Sequence, residues 1–151
     1  MDAELERYLD GLWASGREHD AELSDRTQRL RNVEPETARM LAVLIRATRA
    51  RRVLELGTSN GYSTLWLADA TAGRVLTVEL DAGRAQQARE NFAATDLADA
   101  IELVEADAGE VLANSADGAF DFVFLDAERP LYPTWWPDLL RTLIQPQMPE
   151  E

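Results

Sequence analysis

Along the first fifty residues, apolar positions recur with the period of a helix. Leu5, Tyr8, Leu9, Leu12 and Trp13 follow the i, i+3, i+4, i+7, i+8 spacing of one buried face. Gly16 is expected to separate this helix from a more polar one carrying Leu23, Thr27 and Leu30. Pro35 suits the first turn of a further helix, where its missing N–H costs nothing. That helix carries Ala38, Leu41, Leu44, Ile45 and Thr48. From residue 51 the pattern changes. Short apolar runs at Val53–Leu56, Val75–Glu79, Ile101–Glu105 and Phe120–Leu125 alternate with helical segments near Tyr62–Ala70, Ala82–Thr95, Ala108–Asn114 and Trp135–Leu143. Asp81 is a good N-cap for the second of these. Such alternation predicts an α/β fold, a parallel sheet covered by helices with right-handed crossovers. No repeat, low-complexity tract or linker interrupts it. The expected organisation is one domain over residues 1–151, with helices over 1–50, the sheet core over 51–144 and an irregular tail over 145–151. Pro146 and Pro149 forbid a central strand in that tail, so the fourth strand reads as the last.

The first strand delivers the chemistry. Val53-Leu54-Glu55-Leu56-Gly57-Thr58-Ser59-Asn60-Gly61-Tyr62-Ser63 runs from an apolar strand through a two-glycine turn into an apolar helix. Glycine serves where the backbone needs positive φ or a close approach. A helix start just after such a turn offers free N–H groups to an anion. The spacing is E-x-G-x-x-x-G, without the middle glycine with which a dinucleotide fold approaches a pyrophosphate. Glu79 ends the second strand about twenty residues on, where a carboxylate can take both hydroxyls of a ribose. A ribose without a pyrophosphate points to S-adenosylmethionine. The plainer reading makes Gly57 and Gly61 turn glycines and Glu79 a strand-end charge. A dinucleotide-binding oxidoreductase is the competing cofactor reading, and the missing glycine counts against it.

Composition narrows the partners. The chain has 151 residues, 46% of them hydrophobic, enough for one domain with a real core. Its net charge of −13 repels phosphate backbones, so nucleic acid is not an expected partner. The absence of cysteine excludes disulfides and thiolate metal sites. No apolar run approaches the ~20 residues of a membrane span, and the acidic N-terminus lacks a signal-peptide pattern. A cytoplasmic protein without membrane contact is expected. The single histidine, His19, lies in a charged helix and reads as a surface residue. The Arg49-Arg51-Arg52 cluster reads as the solvated end of the preceding helix. Trp135 and Trp136 are expected to cover the core.

The strand Phe120–Leu125 carries Asp126 to the carboxyl edge of the sheet. If it lies beside the first strand, Asp126 faces the Gly57–Gly61 turn. Asp126 reads equally as a ligand for a hard cation such as Mg²⁺ and as a solvated strand-end acid or helix N-cap. With Phe124-Leu125-Asp126-Ala127-Glu128-Arg129 and Tyr132, the Gly61-Tyr62-Ser63 ending and the strand ending at Glu79, the segment from about Val33 to Leu143 resembles the cation-dependent O-methyltransferases of the catechol and caffeoyl-CoA type, in their bacterial branch. The resemblance implies a Rossmann-like sheet of the class I methyltransferase type with strand order 3-2-1-4. It implies an S-adenosylmethionine-dependent enzyme that methylates a hydroxyl of a small, aromatic acceptor, with a divalent metal assisting. By the same resemblance, Glu55, Gly57 and Gly61 belong to the cofactor site and the two glycines sit against the methionine part. Ser63 bonds near its carboxylate, and Val33 closes over that end. Glu79 holds the ribose, Asp107 and Ala108 lie beside the adenine, and Asp126 binds the cation. Relatives often dimerise, which makes a homodimer the expected assembly.

Two departures stand out. Arg129 occupies the place where relatives often carry a lysine that takes the substrate proton. Arginine cannot act as a base at neutral pH, although it can stabilise an anion. Relatives also continue into a fifth strand ending in an Asp-Asn pair that completes the metal site, then add two strands. This chain stops shortly after Asp126 without that pair. The metal site is expected to be incomplete, the usual last strands to be lacking, and the strand at Phe122–Leu125 to be an uncovered edge. A non-catalytic remnant that binds cofactor or a partner is the alternative reading.

Overall fold

The computed structural model describes residues 1–143; the expected tail over 145–151 lies outside the described residues. Four parallel strands, β1 (Arg52–Leu56), β2 (Arg74–Glu79), β3 (Ile101–Glu105) and β4 (Phe122–Leu125), form a sheet in the order β3-β2-β1-β4. The register pairs Val53 with Val75 on one side and with Phe122 on the other. This is the expected order, and it puts the carboxyl ends of β1, β2 and β4 side by side.

Alternation along the strands sorts the side chains onto two faces. Val53 and Val75 pack with Ile45, Leu67 and Ala68 from α2 (Pro35–Thr48) and α3 (Tyr62–Ala70). Leu54, Leu56 and Val78 pack on the other face against Leu112 of α5 (Ala108–Asn114) and Trp135 and Leu139 of α6 (Tyr132–Thr142). Leu9 of α1 (Ala3–Glu22) and Ala88 and Phe92 of α4 (Ala82–Ala93) extend the first layer over Tyr62, Leu65 and Trp66. A sheet covered on both faces needs apolar residues at successive positions, which is why β1 reads as a nearly continuous apolar run.

Several expectations are corrected. Gly16 does not break the first helix; α1 runs through it to Glu22. Gly16 is buried, and a Cβ there would come within 2.5 Å of the Asn32 amide nitrogen. The glycine admits a neighbouring chain segment and does not end the helix. The expected second helix around Leu23–Leu30 is only a 3₁₀ turn at Arg26–Gln28. There Asp25 accepts from the Thr27 amide, and Asp20 accepts from the Leu30 and Arg31 amides. Side chains that bond nearby amides compete with the helix ladder. On α2 the buried face is Ala38, Ala42 and Ile45, and Leu44 is exposed. Trp135 is buried as expected, but Trp136 is 54% exposed, because successive helical positions diverge by about 100°.

The edge of β4 is not wholly bare. On the side away from β1, the Phe120 amide donates to Thr142 O at 2.9 Å. Phe120 and Leu143 form a parallel bridge, so the chain leaving α6 returns beside the start of β4. Phe122, Val123, Phe124 and Leu125 are each half-buried, with Phe122 and Phe124 against one face cluster and Val123 and Leu125 against the other.

Candidate functional site

At the carboxyl edge the backbone of three strands is knitted together. The Gly57 and Thr58 amides donate to Val78 O at 2.9 and 3.2 Å, and the Asp126 amide donates to Leu56 O at 2.9 Å. Gly57 has φ of 101°, and a Cβ there would overlap the Asp126 carbonyl. Its function in the fold is therefore close backbone approach to the end of β4. Gly61, with φ of 86°, caps α3 without a side-chain bond, and a Cβ there would strike the Phe92 ring. In the first turn of α3 the Tyr62 amide donates to Asn60 Oδ1 at 3.2 Å, and the amides after it are the free donors that a helix start carries.

Glu55 is completely buried one position before the end of β1. Its carboxylate accepts from Ser63 Oγ and Thr64 Oγ1, each at 2.5 Å, and from Thr77 Oγ1 at 2.7 Å. Thr58 Oγ1 lies 2.6 Å from Thr77 Oγ1 and extends the network to the glycine turn. Burial pushes the Glu55 pKa up to about 7 despite these three hydroxyls, and the nearby Asp126 adds to the rise. Ser63 thus spends its proton on Glu55, inside the protein.

The raised pKa has a consequence for stability. The folded chain holds this proton more tightly than the unfolded chain, whose glutamates titrate near 4.5. The contribution is complete below that pH and is lost as pH rises through about 7. Shifted by roughly two and a half units, it amounts to about 3 kcal/mol. Glu55→Gln is expected to flatten the fall in stability between about pH 5 and 8. Urea denaturation of both proteins across that range checks this, and parallel pH profiles would contradict it.

Glu79 is buried at the end of β2. Its two oxygens accept from the Ser59 amide at 2.8 Å and the Asp81 amide at 3.0 Å. Each carboxylate oxygen keeps a second lone pair for a ligand hydroxyl. Leu80, next in the chain, is 71% exposed. Sequence periodicity gave no reason to select it, because it lies just beyond the strand. Asp107 caps α5 through the Glu110 amide, and Ala108 packs against the α5–α6 face cluster. Val33 packs against the α1–α3 cluster.

Asp126 follows β4 and is solvent-accessible, yet protein crowds its carboxyl and pushes the pKa up to about 6. The Arg31 and Arg129 guanidiniums pull the other way. Arg129 opens the exposed 3₁₀ turn Arg129–Leu131. Tyr132 fixes the loop before it, accepting from the Ala127 amide and donating to the Ala127 carbonyl, both at 3.1 Å. Arg31 is a residue that sequence reasoning missed. It sits at φ of 51°, its amide is held by Asp20, and its Nη2 lies 3.3 Å from Glu128 Oε1. Ser59 Oγ donates to Leu30 O at 2.8 Å, so the N-terminal segment is laid across the glycine turn. Nothing in local spacing could show this, because Arg31 and Glu128 are far apart in the chain.

A divalent cation needs several hard oxygen ligands. Among the described residues no group of three or more His, Cys, Asp or Glu side chains could hold a metal ion. The groups acting on Asp126 are two guanidiniums, so these residues do not by themselves fit the cation. A cleft of about 410 Å³ lined by His19, Gln28, Leu30, Asp81 and Arg84 adjoins this edge at Asp81, whose amide donates to Glu79, and His19 is exposed. Among the described residues no helix is long and apolar enough to cross a membrane.

Comparison with known proteins fits this geometry. A catechol O-methyltransferase of Mycobacterium tuberculosis is 41% identical over 99 residues, covering 64% of this chain and 45% of that protein. Catechol O-methyltransferase domain-containing protein 1 of mouse is 36% identical over 140 residues, covering 85% of this chain and 53% of its own length. The crystal structure of an O-methyltransferase from Bacillus cereus in complex with SAH superposes with a TM-score of 0.77 at 30% identity, over 91% of this chain and 62% of that one. The chain thus spans about half the length of these sequence relatives. The O-methyltransferase family model matches residues 15–147, and the chain belongs to that family.

Proposed function

We propose that this chain binds S-adenosylmethionine at the carboxyl edge of its sheet and serves methyl transfer to a hydroxyl of a small aromatic acceptor. The observation that carries the reading is the meeting of the Gly57–Gly61 turn, Glu79 and Asp126 at one edge, in a chain of this family. The cofactor supplies a methyl group activated on a sulfonium. Glu79 would accept from the ribose hydroxyls, and Leu80 would pack on the adenine. The α3 N-terminus would receive the methionine carboxylate. Val33 and the segment fastened by Asp20 would cover that end. Asp107 and Ala108 would border the adenine.

Two groups are placed to act on the acceptor. Asp126, with its pKa near 6, is ionised at neutral pH and is a stronger proton acceptor than an ordinary carboxylate. Arg129 would hold the resulting oxyanion and Arg31 would add to that field, since neither can take the proton. No step here is routed through a metal. The test is methyl transfer from S-adenosylmethionine to a panel of catechols. Asp126→Asn is expected to lower the rate by about 10²–10⁴-fold, the usual worth of a positioned base. An unchanged rate would remove Asp126 from the mechanism. No transfer by the parent chain, with cofactor binding intact, would leave a binding module in place of an enzyme.

A further inference from the structure

The opposite, amino edge of the sheet carries a second concavity. Where α2 ends and β1 begins, a cavity of about 310 Å³ opens between the end of α2 and the α3–β2 connection. The buried Ile45 and Ala50 line it together with Ala70 and the exposed Arg46, Arg49 and Arg51. In a chain of net charge −13, three guanidiniums and, among the described residues, no carboxylate line this space. One of the three, Arg46, is already paired with a carboxylate, which leaves Arg49 and Arg51 to meet a ligand. Asp69 is shared by Arg46 at 2.6 Å and the Met1 amino group at 3.3 Å. The Asp121 carboxylate accepts from the backbone amides of Arg51 and Arg52.

The helix dipole accounts for only part of this. Cations near the last turn of α2 suit its negative end, which covers Arg46 and Arg49. It does not cover Arg51, whose Nη2 reaches Ala72 O at 3.4 Å, away from α2. Arg49 is also the left-handed C-cap of α2, with φ of 55°. Glycine takes that conformation without strain and is the usual residue there. The chain keeps an arginine instead. Among the described residues no hydrogen bond or ion pair holds its guanidinium, so the fold gains nothing visible from it.

We propose that this cavity binds a small organic anion, a carboxylate or phosphate monoester on a compact apolar body. A guanidinium presents a planar fork that matches either group with two parallel hydrogen bonds. Ile45, Ala50 and Ala70 receive the hydrocarbon part. The volume lies at the small end of ligand sites. The site is separate from the carboxyl edge and does not depend on the methyltransfer reading.

The test uses the full chain titrated calorimetrically with benzoate and with phenyl phosphate, with inorganic phosphate as the probe that lacks an apolar body. One of the two organic anions is expected to bind saturably and better than inorganic phosphate, and which one does so assigns the anionic group. Arg49→Gly and Arg51→Gln are each expected to weaken that binding by about tenfold or more, the worth of a charge-assisted hydrogen bond. Arg49→Gly removes the strained left-handed residue, so its thermal melting point is expected to hold or rise while binding falls. A cation needed only as a helix cap would give the opposite melting shift and no binding to lose. No saturable heat at about 10 mM of either organic anion would overturn the proposal. So would undiminished binding by Arg49→Gly, or inorganic phosphate binding as well as phenyl phosphate. Affinity for poly-glutamate alone would replace it with an acidic protein partner. Titration of both variants with S-adenosylhomocysteine is expected to match the parent, which keeps this site distinct from the cofactor site.

Discussion

Gly57→Ala is expected to remove much of the stability of this chain, about 3 kcal/mol or more. Two effects add. A residue with a side chain at φ of 101° is strained, at a cost of about 1–3 kcal/mol. The new Cβ would overlap the Asp126 carbonyl oxygen and lie 2.8 Å from its carbon and 3.2 Å from the Ala127 nitrogen. These atoms are backbone and cannot rotate away. They are pinned by the Asp126 amide on Leu56 O and by the Gly57 amide on Val78 O, both at 2.9 Å. Relief requires β4 to move off β1, and overpacking of this kind costs about 1–3 kcal/mol more. A domain's whole stability is about 5–15 kcal/mol. Urea denaturation measures the loss, and a change below about 1 kcal/mol would contradict the close packing of β4 on this turn. Gly61→Ala makes the companion comparison, because its Cβ meets the Phe92 ring, a side chain and not backbone.

Glu79→Ala is expected to weaken binding of S-adenosylhomocysteine by about 100-fold or more. Two hydroxyls donating to one carboxylate are charge-assisted bonds worth about 1.5–3 kcal/mol each. The same carboxylate also holds the Ser59 and Asp81 amides, so the alanine loosens the turn as well. Glu79→Gln keeps one acceptor oxygen and nearly the same shape but turns an NH2 against either the Ser59 or the Asp81 amide, so it should fall between the alanine and the parent in both affinity and melting temperature. Calorimetry gives the affinities. Equal affinity in all three proteins would take the ribose away from Glu79.

The sheet was legible because its signals are local. Apolar runs, the two-glycine turn and an acid about twenty residues later mark the strands and the ends from which Glu79 and Asp126 emerge, while their order was implied by the family resemblance. What escaped depends on contacts between distant segments. Gly16 looks like a helix breaker until Asn32 is seen against it. Ser63 is drawn to the buried Glu55 by a hydrogen bond across the strand–helix turn, which a motif does not reveal. Arg31 enters the site only because Asp20 and Ser59 hold its segment across the turn. Trp135 and Trp136 share a composition signal, and only helical phase puts one inside and the other out. The amino-edge arginines read as a solvated helix end, and the cavity beside them has no sequence signature.

The central claim is that the meeting of Gly57, Glu79 and Asp126 at one edge makes a cofactor site within this chain. Calorimetric titration of the folded chain with S-adenosylhomocysteine tests it most directly. Saturable one-to-one binding below about 1 mM, largely lost in Glu79→Ala, is the expected result. A sample that melts cooperatively yet gives no heat at about 1 mM ligand, or that binds NADH in its place, would contradict it.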